Sequence, residues 1–244
     1  MTELLYRADA YLKEADARVV AVNERGGIVL DRTPFYASAG GQPGDKGRVA
    51  IEGLADPVEI AATVYDADKT TVVHVPVASL ATPPAAGAKA HIVLDWPLRH
   101  RHMRMHTALH LLCSLVKFPV TGGQIGADES RLDFDIEDAD AVDKDKLTDA
   151  LNALVAANHP VSERWITDAE LEANPGLVRT MSVKPPMGSG KVRLVLIGDG
   201  GAVDMQPCGG THVRATGEIG RLAVTRIEKK GKINRRIRVA LIDG

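Results

Sequence analysis

Two short motifs that lie far apart in the chain constrain the fold most. The first, His106-Thr-Ala-Leu-His110, falls in a stretch with helical character, and the second is Cys208-Gly-Gly-Thr-His212. Residues four apart in a helix share one face, about 6 Å apart along the axis, so both imidazoles can reach one ion. The two glycines permit positive φ, so the chain can bend and turn Cys208 and His212 inward together. Three imidazoles and one thiolate form a ligand set that favours Zn²⁺.

A second pairing on the same helix is His102 with His106, which has the same spacing. The apolar run after His110 indicates that His110 faces inward, whereas His102 is expected toward an exposed, arginine-rich end. The zinc-peptidase signature needs a glutamate directly after the first histidine, and Thr107 stands there instead, which argues against a metalloprotease. Cys113 is two turns from His106 and is expected to be a small core residue.

Composition describes a globular chain with few aromatic side chains. Of its 244 residues 45% are hydrophobic and 25% charged, which argues against disorder, collagen and coiled coil. Only 4% are aromatic, so we expect a mainly aliphatic core. The 2 cysteines do not make a disulfide framework. No apolar run reaches about 18 residues, and the acidic start of the chain argues against a signal peptide. We therefore expect a cytoplasmic protein.

The chain divides into a strand-rich part and a mixed part. Residues 18–94 hold short runs rich in Val and Ile between turn residues, which predicts strands. The segment 81–87 (ATPPAAG) is the best linker, so we expect domains at 1–88 and 89–244. Helices are predicted at 98–116 and 142–158, and strands at 131–137, 191–197, 202–206, 221–228 and 233–241. The expected fold class is α+β: a small amino-terminal β-barrel-like domain, then a mixed α/β domain with helices packed on a largely antiparallel sheet.

Charge is uneven along the chain. The formal net charge is −2, yet residues 226–238 hold seven basic residues and a single acid. A phosphate backbone needs a local basic strip of this kind. On charge alone, a solvated surface strand is equally expected.

Several separate stretches resemble one known family. They are 33–47 (TPFYASAGGQPGDKG), 104–112 (RMHTALHLL), 124–134 (QIGADESRLDF), 192–198 (VRLVLIG) and 208–220 (CGGTHVRATGEIG), with the tail GKINRRIRV. Together they resemble the stand-alone alanyl-tRNA editing proteins of the AlaX type and the matching domain of alanyl-tRNA synthetase. The amino-terminal part makes the chain similar to the longer form, which carries a β-rich domain before the editing domain.

This resemblance implies a trans-editing hydrolase that deacylates tRNA(Ala) mischarged with serine, and sometimes with glycine. Its zinc ligands correspond to the same four side chains that the spacing selects. A glycine-rich motif associated with tRNA recognition corresponds to Gly40, Gly41, Gln42, Pro43, Asp45 and Gly47. The family pattern P-E-G before that motif is replaced by Ala37, Ser38 and Ala39. The alternative for this segment is a tight turn between strands.

Further residues are candidates for reading the substrate. A site that hydrogen-bonds a serine hydroxyl rejects alanine, because alanine leaves its polar groups unpaired. Thr107 and Gln124 are the two candidates; the structural alternatives are a hydrogen bond from Thr107 back to a helix carbonyl and a surface position for Gln124. Basic residues expected to contact the phosphates of the acceptor stem are Arg99, Arg101, Arg104, Lys229, Lys230, Lys232, Arg235 and Arg236.

Two questions stay open on sequence alone. Zinc either activates a water or orients the substrate, and four protein ligands bound at once would make a closed, structural site. Asp204 and Asp199 are possible acceptors for an imidazole N–H. The alternative function is a tRNA-binding module with a structural zinc and no catalysis.

Overall fold

A computed structural model describes residues 2–137, 142–179, 190–231 and 233–242. The chain forms two compact units, Met1–His100 and Arg101–Gly244. Within the described ranges, no helix combines the length and the apolar character that crossing a lipid bilayer requires.

The first unit is a closed six-stranded β-barrel. A short parallel pair, β1 (Glu3–Leu4) and β4 (Arg32–Thr33), lies beside it. The barrel strands, in order around the barrel, are β2 (Glu14–Val22), β3 (Ile28–Leu30), β7 (Val72–Pro76), β6 (Val58–Tyr65), β5 (Gly47–Ile51) and β8 (Lys89–Leu94). Every pairing between them is antiparallel. β-Branched residues alternate with polar ones along these strands, which sends one set of side chains into the barrel.

The core of the barrel is mainly aliphatic, as composition predicts. Ile28, Leu30, Val49 and Ile92 are fully buried there, together with the ring of Phe35. Burial of such side chains is the main favourable contribution to the stability of a small barrel.

The division between the two units differs from the predicted one. Strand β8 pairs with β2 on one side and with β5 on the other, so it closes the barrel. The proline- and alanine-rich segment 81–87 therefore precedes the last barrel strand and is a loop within the first unit. The compact units divide after His100 rather than after residue 88.

The second unit combines helices with two antiparallel sheets, which confirms the expected fold class. Its helices are α1 (Trp96–Leu115, whose residues from Arg101 belong to this unit), α2 (Lys144–Ala156) and α3 (Asp168–Ala173). One sheet has the order β14 (Leu222–Lys230), β15 (Asn234–Leu241), β10 (Glu129–Asp135), β9 (Val120–Gln124). The other has the order β11 (Val161–Thr167), β12 (Lys191–Ile197), β13 (Asp204–Pro207).

Local sequence explains how α2 begins and where it lies. The Asp143 side chain accepts hydrogen bonds from the backbone N–H groups of Asp145 and Lys146, which caps the helix. On the sheet side, the Asn152 amide group bonds both backbone polar groups of Leu222, with N···O distances of 2.8 and 3.0 Å. These contacts fix α2 against the edge strand β14.

A buried ion pair organises the first unit. Arg99 and Asp45 are almost completely inaccessible, and Arg99 Nε lies 2.9 Å from both carboxylate oxygens. Arg99 also donates to the carbonyl oxygens of Pro34 and Ala10, at 2.8 and 3.0 Å. Asp45 accepts a further hydrogen bond from the Tyr36 N–H. Each charge is therefore paired and hydrogen-bonded, as burial requires.

We predict that Asp45→Asn lowers the free energy of unfolding by about 3–5 kcal/mol, because it leaves the Arg99 charge buried without its partner. The matched control is Arg32→Gln, which breaks an ion pair with Glu3 in which both side chains are about half exposed and should cost at most about 1 kcal/mol. Urea unfolding of both variants measures the difference. Equal losses would contradict the role given to the buried pair.

Candidate metal centre

The side chains of the two histidine motifs converge in the second unit. The ligand atoms of His106, His110, Cys208 and His212 all lie within 4.8 Å of one another. Cys208 Sγ is 3.5 Å from His106 Nε2 and 3.3 Å from His212 Nε2. Tetrahedral zinc, with Zn–S of about 2.3 Å and Zn–N of about 2.0–2.1 Å, separates sulfur and nitrogen ligands by about 3.5 Å. These two sulfur–nitrogen distances match that spacing, and three imidazoles with one thiolate are a donor set that zinc favours.

The pairing of His106 with His110 is the one that the structure brings to this cluster, and His102 is not part of it. The expectation that His102 lies at an exposed end of the helix is wrong, because its side chain is buried. Met103 and Met105 beside it are fully buried as well. The helix is buried on more than one face at these residues. The prediction assumed that only the face with apolar residues is buried, and it therefore placed His102 at the surface.

A carboxylate bonds the His110 ring nitrogen that faces away from the cluster. Its Nδ1 lies 2.8 Å from Asp204 Oδ2, and Asp204 is itself buried. Gln206 Nε2 donates to both carboxylate oxygens at 2.9 Å. With its proton on Nδ1, His110 has its Nε2 lone pair available to a metal ion at the cluster.

Of the two acceptors suggested by sequence, Asp204 is confirmed. Asp199 is exposed and makes no side-chain hydrogen bond in the part of the chain that the structure describes. Sequence reasoning missed Gln206, although its position two residues after Asp204 in a strand puts both side chains on one face.

His212 is held in the same manner by Thr107. The hydroxyl lies 3.2 Å from His212 Nδ1, donates to the Met103 carbonyl oxygen at 2.9 Å and accepts from the Val213 N–H at 3.3 Å. A hydroxyl has one proton and two lone pairs, so these three contacts engage all of its capacity. The hydrogen bond back to the helix carbonyl that sequence offered as the structural alternative is confirmed.

The electrostatics of the cluster distinguish the two cysteines. Burial opposes ionisation of Cys208, but the neighbouring imidazoles, above all the charge of His106, outweigh it and hold the pKa of this thiol well below its usual range. Burial raises the pKa of Cys113 to about 12, so that thiol stays protonated. Cys113 is a buried residue outside the cluster, as expected.

The histidines also differ in basicity. Burial and the nearby charge of His106 hold the pKa of His212 well below its usual value. Burial acts in the same direction on His110, but hydrogen bonds to Asp204 and Cys208 overcome it and raise its pKa to about 10. A thiolate and a neutral imidazole are the forms that bind a metal, and a carboxylate behind an imidazole increases its strength as a ligand.

The glycine loop bends differently from the prediction. Neither Gly209 nor Gly210 has a positive φ. The loop instead folds back on its own sulfur, because the Gly210 N–H points to Cys208 Sγ at 3.4 Å. The prediction of positive φ was wrong, and hydrogen bonds to the loop backbone accompany its bend.

The glycine-rich segment of the first unit forms a tight turn. Gly40 and Gly41 are exposed and have φ values of +56° and +82°. Ala39 and Gln42 pair across the turn. The Gln42 side chain is only 1% exposed, so it lies inside the protein rather than on the surface.

Much of the basic strip is neutralised by the sheet that carries it. Arg236 donates to both oxygens of Asp133 at 2.8 Å. Arg235 is buried and donates to the carbonyl oxygens of Asn234 and Glu137. The neighbouring Arg238 pairs with two glutamates in the same way.

The other basic candidates are arginines with partners inside the protein, exposed lysines, and one lysine outside the described residues. Arg99 belongs to the buried ion pair, Arg101 pairs with Asp128, and Arg104 Nε donates to the Ile219 carbonyl oxygen at 2.7 Å. Lys229 and Lys230 are exposed, and neither makes a side-chain hydrogen bond or a close ion pair among the described residues. Lys232 lies outside the described residues.

Gln124, the second candidate for reading the substrate, is the last residue of the edge strand β9. Its side chain is exposed and makes no hydrogen bond within the described ranges. Its surface position agrees with the structural alternative that sequence offered, and it leaves the amide available to a ligand.

Two segments of the chain match known protein families. Residues 192–238, which include Cys208 and His212, match the family described as "Threonyl and Alanyl tRNA synthetase second additional domain". Residues 8–98 match "tRNA synthetases class II (A)".

Relatives align over nearly the whole chain. The alanyl-tRNA editing protein AlaX-M of Methanosarcina acetivorans is 35% identical, covering 100% of both proteins. That of Methanosarcina mazei is 36% identical, covering 100% of this chain and 98% of the relative. The longer AlaX-L of Pyrococcus horikoshii is 32% identical over 95% of this chain and 56% of its own length. The resemblance drawn from sequence is thereby confirmed, and the chain belongs to the alanyl-tRNA editing proteins of the AlaX-M type.

Proposed function

We propose that this chain removes serine wrongly attached to tRNA(Ala), acting in trans on the released aminoacyl-tRNA. As a member of the alanyl-tRNA editing family it is an enzyme, an aminoacyl-tRNA deacylase. The observation that supports the proposal most is the convergence of four ligand side chains on one point of a chain that aligns end to end with AlaX-M proteins. Glycine attached to tRNA(Ala) is a second substrate of the same proposal, and the site of action is the cytoplasm, where charged tRNA is used.

Zinc is the metal that these residues fit. Three imidazoles and a thiolate match its preference for nitrogen and sulfur ligands, and the buried supports Asp204 and Thr107 keep two of the imidazoles in the tautomer that binds through Nε2. When bound, zinc supplies Lewis-acid chemistry, either lowering the pKa of a water or orienting the ester.

Selection of the substrate needs a group that pairs with the serine hydroxyl. A pocket that hydrogen-bonds this hydroxyl leaves a polar group unpaired when alanine enters, which discriminates strongly. Thr107 has no remaining donor or acceptor for such a contact. The Gln124 amide has both, so within this proposal Gln124 reads the hydroxyl and Thr107 positions His212.

Fewer basic residues are available to bind the tRNA backbone than the sequence predicted, because several of them have partners within the protein. Lys229 and Lys230, at the end of β14, are the candidates for phosphate contacts. Arg235 and Arg236, on the neighbouring strand β15, are engaged by their internal partners. In the first unit, exposed backbone at Gly40 and Gly41 is the candidate for a further contact, with buried Gln42 supporting the turn.

Single-turnover deacylation tests the function. We expect rapid loss of serine from Ser-tRNA(Ala), with alanine spared on Ala-tRNA(Ala), and a rate that collapses when a chelator removes the metal. Cys208→Ala should lower the rate at least about a hundredfold, since removal of a ligand costs more than the 10–100-fold typical of its supporting residues. Cys113→Ala, which changes the cysteine outside the cluster, is the matched control.

Two outcomes would favour the alternative function. A protein that binds zinc and tRNA but releases serine no faster than the spontaneous reaction is a binding module. Loss of the fold together with the metal in Cys208→Ala would likewise indicate a structural zinc.

For selectivity, we predict that Gln124→Leu reduces the preference for serine over alanine about tenfold, equivalent to about 1.4 kcal/mol for one lost hydrogen bond. Thr107→Val should slow both substrates alike and leave the preference unchanged, because it affects His212 rather than the serine side chain. Competition between the two charged tRNAs measures the ratio. A reversed pattern would assign the hydroxyl contact to Thr107.

For RNA binding, we predict that the double variant Lys229→Gln/Lys230→Gln reduces the slope of log affinity against log salt by about two, since each phosphate contact contributes about one. Lys144→Gln/Lys146→Gln removes the same charge from α2 and serves as control. Titration of labelled tRNA(Ala) at several salt concentrations provides the slopes. An unchanged slope in the first variant would remove these lysines from the interface.

A further inference from the structure

We propose that Arg193, oriented by Glu163, is a positioning residue that holds the backbone of the metal-binding loop so that the Cys208 sulfur faces the histidines. The proposal rests on the metal site of the proposed function. Arg193 lies on β12, away from both histidine motifs in sequence, and its side chain is buried.

One guanidinium nitrogen holds the loop at two points. Arg193 Nη1 lies 3.0 Å from the Cys208 carbonyl oxygen and 2.8 Å from that of Gly210. The Cys208 N–H in turn donates to the Arg193 carbonyl oxygen at 3.0 Å. The residue that carries the thiolate is therefore bonded to Arg193 through both of its backbone polar groups.

Gly209, the residue between the two carbonyl groups that Arg193 binds, is not restrained by packing. A side chain at Gly209 would meet no atom within 4 Å, so packing leaves this glycine unconstrained. Glycine also has the largest conformational freedom of any residue, and holding it in one conformation requires external contacts. The two hydrogen bonds from Arg193 bracket Gly209 on either side, which supplies that restraint.

Glu163 on the neighbouring strand sets the plane of the guanidinium. Arg193 Nε donates to Glu163 Oε2 at 2.7 Å, and Nη2 donates to the other carboxylate oxygen. Strand pairing places Arg193 opposite Trp165, so Glu163 is its diagonal neighbour on the same face of the sheet. Such a two-point pair fixes the planar fork, and the Nη1 protons then point at the loop.

Arginine is required at this position by geometry rather than by charge. Four of its five N–H groups have assigned acceptors here, two on the carboxylate and two on the loop. A lysine carries the same charge on a flexible stem and has three donors from one atom, so it cannot serve the carboxylate and both carbonyl groups in one plane. Arg193→Lys is therefore the informative substitution.

The test measures metal binding directly on the full chain. Zinc affinity is measured by chelator competition, and Co²⁺ replaces zinc to report the thiolate ligand through its sulfur-to-cobalt absorption band. For Arg193→Lys we expect zinc affinity to fall 10–100-fold, the usual effect of losing a supporting contact, and the cobalt band to weaken. kcat for deacylation should fall with it, while KM for the tRNA stays the same. Glu163→Gln, at a partly exposed side chain, should give a smaller change in the same direction.

The matched control is Arg236→Lys. Arg236 lies in the other sheet and also donates to both oxygens of one carboxylate, that of Asp133. This substitution should leave the zinc affinity and the cobalt band unchanged. A band and an affinity equal to those of the parent in both Arg193→Lys and Glu163→Gln would overturn the positioning role and leave the metal site intact. A parent protein without a cobalt–thiolate band would overturn the metal site itself.

Discussion

Each imidazole of a metal site has two nitrogens, and a rigid site must control the one that does not face the ion. In this chain two imidazoles of the cluster have that nitrogen engaged by a buried polar side chain. Asp204 occupies the far nitrogen of His110, and the Thr107 hydroxyl occupies that of His212. Both supports have further partners: Gln206 donates to Asp204, and Thr107 contacts the Met103 carbonyl and the Val213 N–H.

The two supports differ in charge, and this makes the site asymmetric. A carboxylate behind His110 raises the basicity of that imidazole, whereas a neutral hydroxyl behind His212 leaves it to the effects of burial. The imidazoles of the cluster therefore differ in basicity although they are chemically identical. This asymmetry originates in the second layer of residues.

Sequence predicted those features that depend on local spacing. The four-residue interval between His106 and His110 is fixed by the helix itself, and Asp204 was found because it lies near the second motif. Arg193 escaped because its contacts depend on the register of neighbouring strands, which no local pattern encodes. Gln206 was missed although the two-residue interval from Asp204 within one strand is a local signal. Strand register also explains the basic strip. The sequence predicted Arg236 as a surface charge, but the pairing of β15 with β10 places it opposite Asp133.

The boundary of the first unit was predicted too early for the same reason. The composition of residues 81–87 indicates a linker, but it does not show that the following strand β8 pairs with β2 and β5.

The closing strand also sets a condition on synthesis of the protein. β2 finds its partner β8 at the far end of the first unit, so residues 14–18 wait for residues 89–93 before they can pair. While the chain emerges from the ribosome, β2 and β5 both present strand edges that β8 later covers. Non-local pairing of this kind is slow relative to helix formation. A nascent chain that ends before β8 therefore exposes two strand edges that can pair with other chains. Addition of β8 covers these edges, so it prevents aggregation as well as completing the barrel.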